Sequence, residues 1–215
     1  KVHGISCDLF EARLTSAANT AILEALSQRP FRTWFSMPMD MGMLSTFNHV
    51  TLDESLVRIM AVVREHGPFD GIYGFSQGAF ISTALCSPTV WRGRFGLDES
   101  PFRFAILANS GLSDVLPNCS VAQSAPSGSE ELPHAKLEFP LAIPSLHLVG
   151  EKDWSKAAQL RHANLFEAAV THIHPHGHEL PLQLREDESL FGTLAAFFRQ
   201  MKDAKLAVAA ATESI

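Results

Sequence analysis

The residues most able to do chemistry in this chain form the pentapeptide G-F-S-Q-G at positions 74–78, which has the G-x-S-x-G spacing of a nucleophile elbow. A β-prone run at 71–73 precedes it, and a helix-compatible run at 79–85 follows it. In such a turn the serine takes a strained backbone conformation, and the flanking glycines allow the strand and helix to approach closely. The pattern predicts Ser76 as a nucleophile; the alternative is an ordinary turn serine flanked by glycines.

A serine hydroxyl needs a base to take its proton, and the base needs an acid to hold its tautomer. In the α/β-hydrolase order the acid and then the histidine follow the serine, each after a later strand. Asp153 follows an apolar run that ends at residue 149, and His178 follows a strand-like run near Ile173. We therefore expect Ser76, Asp153 and His178 to meet at the carboxyl edge of one sheet.

Other residues compete for these two roles. Glu151 is an alternative acid, since Asp153 could instead cap a helix that begins with the next residues. His176 is an alternative base, whereas His172 and His174 are expected to lie within the preceding strand.

The closely spaced histidines of this region also raise the possibility of a metal site, because imidazoles two apart on a strand share a face. The metallo-hydrolase pattern H-x-H-x-D-H is not met, because Gly177 stands where its last histidine should be. We predict neither a metal nor a cofactor.

An acyl-transfer site also needs main-chain N–H donors aimed at the developing oxyanion. Gln77 should supply one, at the start of the helix after the elbow, where the helix dipole adds to it. The second is assigned to Ile5, with Ser6 as the alternative, in the loop opened by the dipeptide His3-Gly4. His3 itself is expected to be structural.

Two features bear on the substrate pocket. The first is a set of four methionines at alternate positions. Their flexible thioethers suit a bulky apolar acyl chain, although core packing is an equally good interpretation of these residues. Phe75, beside the candidate nucleophile, is expected to line the same pocket, and Cys86 to be buried and inert. The thioethers in question stand at alternate positions: Met37, Met39, Met41 and Met43.

Strand-like and helix-like segments alternate along the chain, which predicts an α/β fold with a mostly parallel, twisted sheet and helices on both faces. We expect a single domain over 1–215, with 37–52 and 113–139 as lid or cover segments and the latter mainly loop. The opening residues resemble the end of a strand, so the first native strand is expected to begin before Lys1. Helices are predicted at 10–26, 53–65, 79–85, 155–169 and 186–204, and strands at 31–36, 71–73, 102–108, 143–149 and 170–174.

Composition narrows the class of protein. The 215 residues are 46% hydrophobic and 19% charged, as in a globular domain, and the formal net charge is −6. Without a Lys/Arg block or an apolar run long enough to span a bilayer, we expect neither nucleic acid nor membrane as a partner. Cys7, Cys86 and Cys119 are odd in number and widely spaced, which favours reduced thiols and a cytoplasmic protein.

The chain resembles the FSH-type serine hydrolases of the α/β-hydrolase superfamily. The matching pieces are His3-Gly4, the elbow region 71–79, the segment 144–153 and the run G-H-E-L-P at 177–181. The resemblance implies cofactor-independent carboxylesterase or thioesterase activity through Ser76, Asp153 and His178. Several members are similar to trans-acting hydrolases of fungal polyketide pathways, which implies an acyl-carrier domain as a partner. The family's opening His-Gly-Phe loop often continues to an Asn, whereas this chain continues I-S-C-D at 5–8.

These features together predict a serine hydrolase that cleaves a small-molecule acyl thioester or ester, with a polyketide-type or other apolar acyl chain favoured. A general carboxylesterase is the first alternative, and a catalytically inert binding protein on a hydrolase fold is the alternative from another class. A peptidase or an acyltransferase could use the same triad. Nothing in the sequence predicts the oligomeric state.

Overall fold

A computed structural model of the chain describes residues 5–6, 32–35, 49–111, 114–124, 133–179 and 187–212. The chain forms two compact units, 1–62 and 63–215. The expectation of one domain over the whole chain remains a prediction. The four methionines at positions 37–43 lie outside the described residues.

In the first unit, two short strands pair and a helix begins. Strand β1 (Ile5–Ser6) pairs with strand β2 (Arg32–Thr33) in antiparallel register. Helix α1 (His49–His66) continues into the second unit and starts four residues earlier than predicted. Its fully buried side chains recur at helical spacing, which identifies its inward face: Leu52, Leu56 and Met60.

The second unit is built on a parallel sheet with the strand order β3-β4-β7-β8. The strands are β3 (Gly71–Phe75), β4 (Phe104–Ala108), β7 (Ser145–Gly150) and β8 (Ala169–His174). Every pairing among them is parallel. Strand β7 is buried along its whole length, as expected for a strand covered on both faces. The predicted parallel α/β sheet is therefore confirmed.

Helices cover both faces of this sheet. They are α2 (Gln77–Cys86), α3 (Lys156–Ala163) and α4 (Glu188–Thr212). Successive side chains of a strand point to opposite faces, so Leu107 packs with Ala79 of α2 while Ile106 packs with Leu190 of α4. The predicted helical layers on the two faces are confirmed.

Within the described parts of the stretch 113–139, strand β5 (Ser120–Ala122) pairs antiparallel with strand β6 (His134–Lys136), and a 3₁₀ turn spans Leu116–Asn118. Apolar Val121 is buried in this pair, although the surrounding Pro, Ser and Gly suggested a loop. The role of this stretch as a lid or cover remains a prediction.

The predicted end of helix α3 was wrong. The helix ends at Ala163 instead of residue 169, and beyond it the main chain of Leu165 and Glu167 hydrogen-bonds to Leu141.

Candidate active site

The turn between β3 and α2 has the geometry of a nucleophile elbow. Ser76 has φ 53° and ψ −117°, a conformation that non-glycine residues rarely adopt. Its main-chain N–H donates to the carbonyl of Ala108 at 2.9 Å, which ties the turn to β4. A Cβ at Gly74 would lie 2.5 Å from the carbonyl oxygen of Gly78 and 2.6 Å from Cα of Ala79, so only glycine fits there. The strand, turn and helix therefore present the Ser76 hydroxyl at the carboxyl edge of the sheet.

Asp153 lies in the turn that links β7 to α3. Its side chain is fully buried. Its Oδ1 accepts hydrogen bonds at 2.8 Å from both the main-chain N–H and the hydroxyl of Ser155, the residue that caps α3. The carboxylate thus organises the start of the helix and leaves its second oxygen to face the candidate base.

His178 bridges the nucleophile and the acid. Its Nε2 lies 2.8 Å from the hydroxyl oxygen of Ser76, and its Nδ1 lies 2.7 Å from Oδ2 of Asp153. A neutral imidazole with the proton on Nδ1 donates to the carboxylate and accepts from the serine hydroxyl. Three residues selected from the sequence are therefore brought into one hydrogen-bonded chain.

The protonation of Asp153 is set by two opposing effects. Burial alone would raise its pKa, but hydrogen bonds from Asn109, from Ser155 and from His178 hold the pKa at about 2. The carboxylate is therefore charged at neutral pH, and a charged partner favours the imidazolium that forms when His178 takes a proton.

The competing residues have other contacts. Glu151 pairs with Lys156 at 2.7 Å on the surface. His172 and His174 lie within β8, as predicted, and His172 Nδ1 lies 3.0 Å from the hydroxyl oxygen of Thr193. His178, and not His176, makes the hydrogen bond to the serine. Among the residues that the structure describes, no group of three His, Cys, Asp or Glu side chains could hold a metal ion.

Two aromatic rings flank the candidate base. The Phe75 ring centroid lies 5.2 Å from that of His178, and the Trp154 centroid lies 6.0 Å from it. Phe75 is partly buried, whereas Trp154 is 72% exposed. The surface beside the imidazole is therefore apolar and aromatic.

The predicted oxyanion donors lie in different units. Gln77 is the first residue of α2, immediately after the serine. Ile5 lies in strand β1, and not in a loop as expected. Its assignment as a donor, with Ser6 as the alternative, remains a prediction, as does the pocket role of the four methionines.

Sequence reasoning missed three residues of this site: Asn109, Trp154 and Ser155. Asn109 donates from Nδ2 to Oδ2 of Asp153 at 2.8 Å, and Trp154 and Ser155 follow the acid directly. A signal for Asn109 was available, because it is a polar residue placed directly after a buried strand, as Asp153 is placed shortly after β7. Trp154 and Ser155 carry no motif of their own.

A parallel sheet with helices on both faces and a serine elbow at its edge defines the class of α/β-hydrolases. The sequence model of the family described as "Serine hydrolase (FSH1)" matches residues 3–190. The chain belongs to this serine hydrolase family.

Two relatives and one solved structure illustrate what the chain is similar to. The chain is 30% identical over 180 residues to the esterase C25G4.2 of Caenorhabditis elegans, covering 80% of this chain and 72% of that one. It is 33% identical over 133 residues to the esterase OVCA2 of Bos taurus, covering 60% of this chain but only about half, 51%, of the bovine protein. Among solved structures, ClbQ from the colibactin NRPS/PKS pathway shares 13% identity with a TM-score of 0.46, over 73% of this chain and 79% of that one.

Within the described ranges, no helix is both long enough and apolar enough to cross a membrane.

Proposed function

We propose that this protein is a serine hydrolase that cleaves an acyl thioester or ester through Ser76, His178 and Asp153. The observation that carries the proposal is the continuous chain of hydrogen bonds, 2.8 Å from Ser76 to His178 and 2.7 Å from His178 to Asp153. Both distances fit the proton transfer that activates a serine hydroxyl.

In the proposed reaction, the Ser76 hydroxyl oxygen bonds to the carbonyl carbon of the substrate while its proton passes to Nε2 of His178. Asp153 accepts the Nδ1–H hydrogen bond and stabilises the imidazolium without taking the proton. Collapse of the tetrahedral intermediate breaks the C–S or C–O bond, and the leaving thiol or alcohol takes the proton from Nε2. Water then attacks the acyl-enzyme with the same base, which releases a carboxylic acid and restores Ser76.

The oxyanion is assigned to the main-chain N–H group of Gln77, and the second donor, expected at Ile5, stays a prediction. Gln77 supports this assignment by its position at the start of α2, where the helix dipole favours negative charge. Loss of one such donor costs roughly 3–4 kcal/mol of transition-state stabilisation.

The favoured substrate is a thioester with a polyketide-type or other apolar acyl chain, presented by a small molecule or by an acyl-carrier domain. The aromatic rings of Phe75 and Trp154 beside His178 support an apolar group at the reacting centre. A carboxylic ester is the second candidate, and the esterase names of the Caenorhabditis elegans and bovine relatives favour it.

The test of the nucleophile is labelling with a fluorophosphonate probe, followed by mass spectrometry of the adduct. Wild-type protein should gain one adduct on Ser76, and Ser76→Ala should gain none and lose about 10⁴-fold or more in kcat. An unlabelled but folded wild-type protein would favour the inert binding protein. His178→Ala should lose activity to a similar extent, and its matched control His176→Ala should not.

The substrate class is tested with pairs of substrates that share one acyl group and differ only in a thiol or an alcohol leaving group. Acyl chains of graded length, attached to pantetheine and to a simple alcohol, give kcat/KM for each pair. Higher kcat/KM for the thioester at every chain length supports the thioesterase, and the reverse order supports the carboxylesterase.

A further inference from the structure

Asn109 lies between the two strands that carry the candidate nucleophile and acid. It directly follows β4, whose neighbours in the sheet are β3 and β7. Its main-chain N–H donates to the carbonyl of Leu148 in β7 at 2.9 Å, and the preceding residue, Ala108, accepts from the N–H of Ser76. The main chain of Ala108 and Asn109 therefore hydrogen-bonds both to the nucleophile and to the strand that precedes the acid.

The side-chain amide of Asn109 also makes two hydrogen bonds. Its Nδ2 donates to Oδ2 of Asp153 at 2.8 Å and to the carbonyl oxygen of Gly177 at 2.9 Å. Both partners are acceptors, so the nitrogen, and not the oxygen, must face them. Gly177 immediately precedes His178, so a single amide group contacts the acid and the main chain that carries the base.

Two features of Asn109 bear on why this residue type stands here. Its φ of 51° lies in the left-handed region, which glycine adopts most easily and asparagine more readily than most other residues. Among the described residues, no hydrogen-bond partner contacts its buried side-chain oxygen Oδ1, which is unfavourable. Glycine would meet the backbone requirement of this buried position without placing a polar oxygen there, so the amide itself needs an explanation.

The oxygen that Asn109 contacts is the same one that accepts the hydrogen bond from Nδ1 of His178. Because Asn109 donates to one lone pair of this oxygen, the other lone pair is held in a fixed direction, toward Nδ1 of His178. The bond to Gly177 fixes the main chain one residue before His178, at the opposite end of that hydrogen bond.

We infer that Asn109 is a positioning residue for the hydrolase reaction. It holds Asp153 and the segment carrying His178 in a fixed relative position. This inference rests on the proposed function, since it assigns a role within the same triad. Because Asn109 is fully buried, it touches no substrate and acts only through the other two residues.

The test compares Asn109→Gly with Asn109→Ala. Both remove the amide, but only glycine is free of strain at this φ, so the pair separates the loss of the hydrogen bonds from damage to the backbone. Ser145→Ala is the matched control, because Ser145 is also fully buried, contacts His147 at 2.9 Å and lies at the other end of β7. Active protein is counted by stoichiometric fluorophosphonate labelling, and stability by the thermal midpoint.

We expect kcat per labelled site to fall about 10- to 100-fold in both Asn109 variants, since a buried hydrogen bond to a charged group is lost. KM should stay within about twofold. Ser145→Ala should lower the thermal midpoint and leave kcat unchanged.

A kcat for Asn109→Gly within about twofold of wild type would overturn the inference, as would a loss confined to Asn109→Ala or one expressed only in KM. These outcomes leave the proposed function standing. Activity that survives in Ser76→Ala would instead refute the proposed function itself, so the two failures are distinguishable.

Discussion

Acid should destabilise this protein through two buried histidines, His147 on β7 and His162 on α3. Their ring centroids are 5.6 Å apart, and each Nε2 lies 2.9 Å from a hydroxyl oxygen, that of Ser145 or of Thr83. Burial, together with the neighbouring His162, lowers the pKa of His147 to about 3. Burial also lowers the pKa of His162 to about 4, an effect that a main-chain hydrogen bond with Ser110 partly offsets.

The sign follows from proton binding. In the unfolded chain both imidazoles have the ordinary pKa of 6.5, so below this pH the unfolded state binds more protons than the folded state. The stability of the fold is therefore greatest above about pH 6.5 and falls until the pH reaches the folded pKa values of 3 to 4. At pH 5 the pH is 1.5 units below the unfolded value but still above both folded values, and the loss is about 2 kcal/mol for each imidazole.

Together the pair should remove about 4 kcal/mol between pH 7 and pH 5. This is a large part of the roughly 5–15 kcal/mol by which a typical domain is stable. The measurement is urea unfolding followed by far-ultraviolet circular dichroism at pH 7, 6 and 5. The free energy of unfolding is taken from the linear extrapolation.

His162→Gln isolates one of the two contributions. Between pH 6 and pH 5 its free energy of unfolding should fall by about 1 kcal/mol less than that of wild type. Phe166→Leu is the control, because the Phe166 ring lies 5.1 Å from His147 and its replacement disturbs the same cluster without removing a titratable group. It should lower stability equally at every pH. Equal pH slopes for His162→Gln and wild type would refute the reasoning.

Four further predictions concern the elbow, α4, the surface beside the base and the effect of removing metal ions. Gly74→Ala should destabilise the fold by about 1–3 kcal/mol and reduce activity, because the new methyl group meets the backbone of Gly78 and Ala79; an unchanged thermal midpoint would contradict this. Gly192→Ala should raise the midpoint by a few degrees, since nothing lies within 4 Å of the added carbon in the helix, and a lower midpoint would contradict it. Trp154→Ala should raise KM for apolar acyl substrates several-fold with little change in stability, because the ring is 72% exposed; an equal KM would exclude a substrate contact. EDTA should leave the rate unchanged, and a loss that zinc restores would contradict the metal-free mechanism.

Much of the candidate site could be predicted because parallel α/β sheets bring the ends of their strands to one edge. Ser76, Asp153 and His178 each follow a strand that is recognisable from its apolar run, so their meeting followed from topology. Their order along the chain, serine then acid then histidine, separated this arrangement from chance matches to a pentapeptide.

The parts that escaped prediction depend on contacts that are distant in sequence. Asn109 has no motif beyond its place after a buried strand, and the sequence does not show that its partners are Asp153 and Gly177, far along the chain. Strands β5 and β6 are three residues each, too short for their alternation to stand out among Pro, Ser and Gly. Beyond α3 the chain hydrogen-bonds to Leu141 and then pairs with β7, contacts that local helix propensity does not reveal.

The exposed indole of Trp154 gives the candidate base an optical reporter. The chain has three tryptophans, and Trp91 is buried whereas Trp154 is 72% exposed and lies beside His178, with its ring tilted 30° from the imidazole. A solvated indole emits at longer wavelength than a buried one, so an acyl group that packs beside His178 should shield this indole and shift its emission to shorter wavelength. That shift on acylation would allow single turnovers to be followed without a chromogenic substrate.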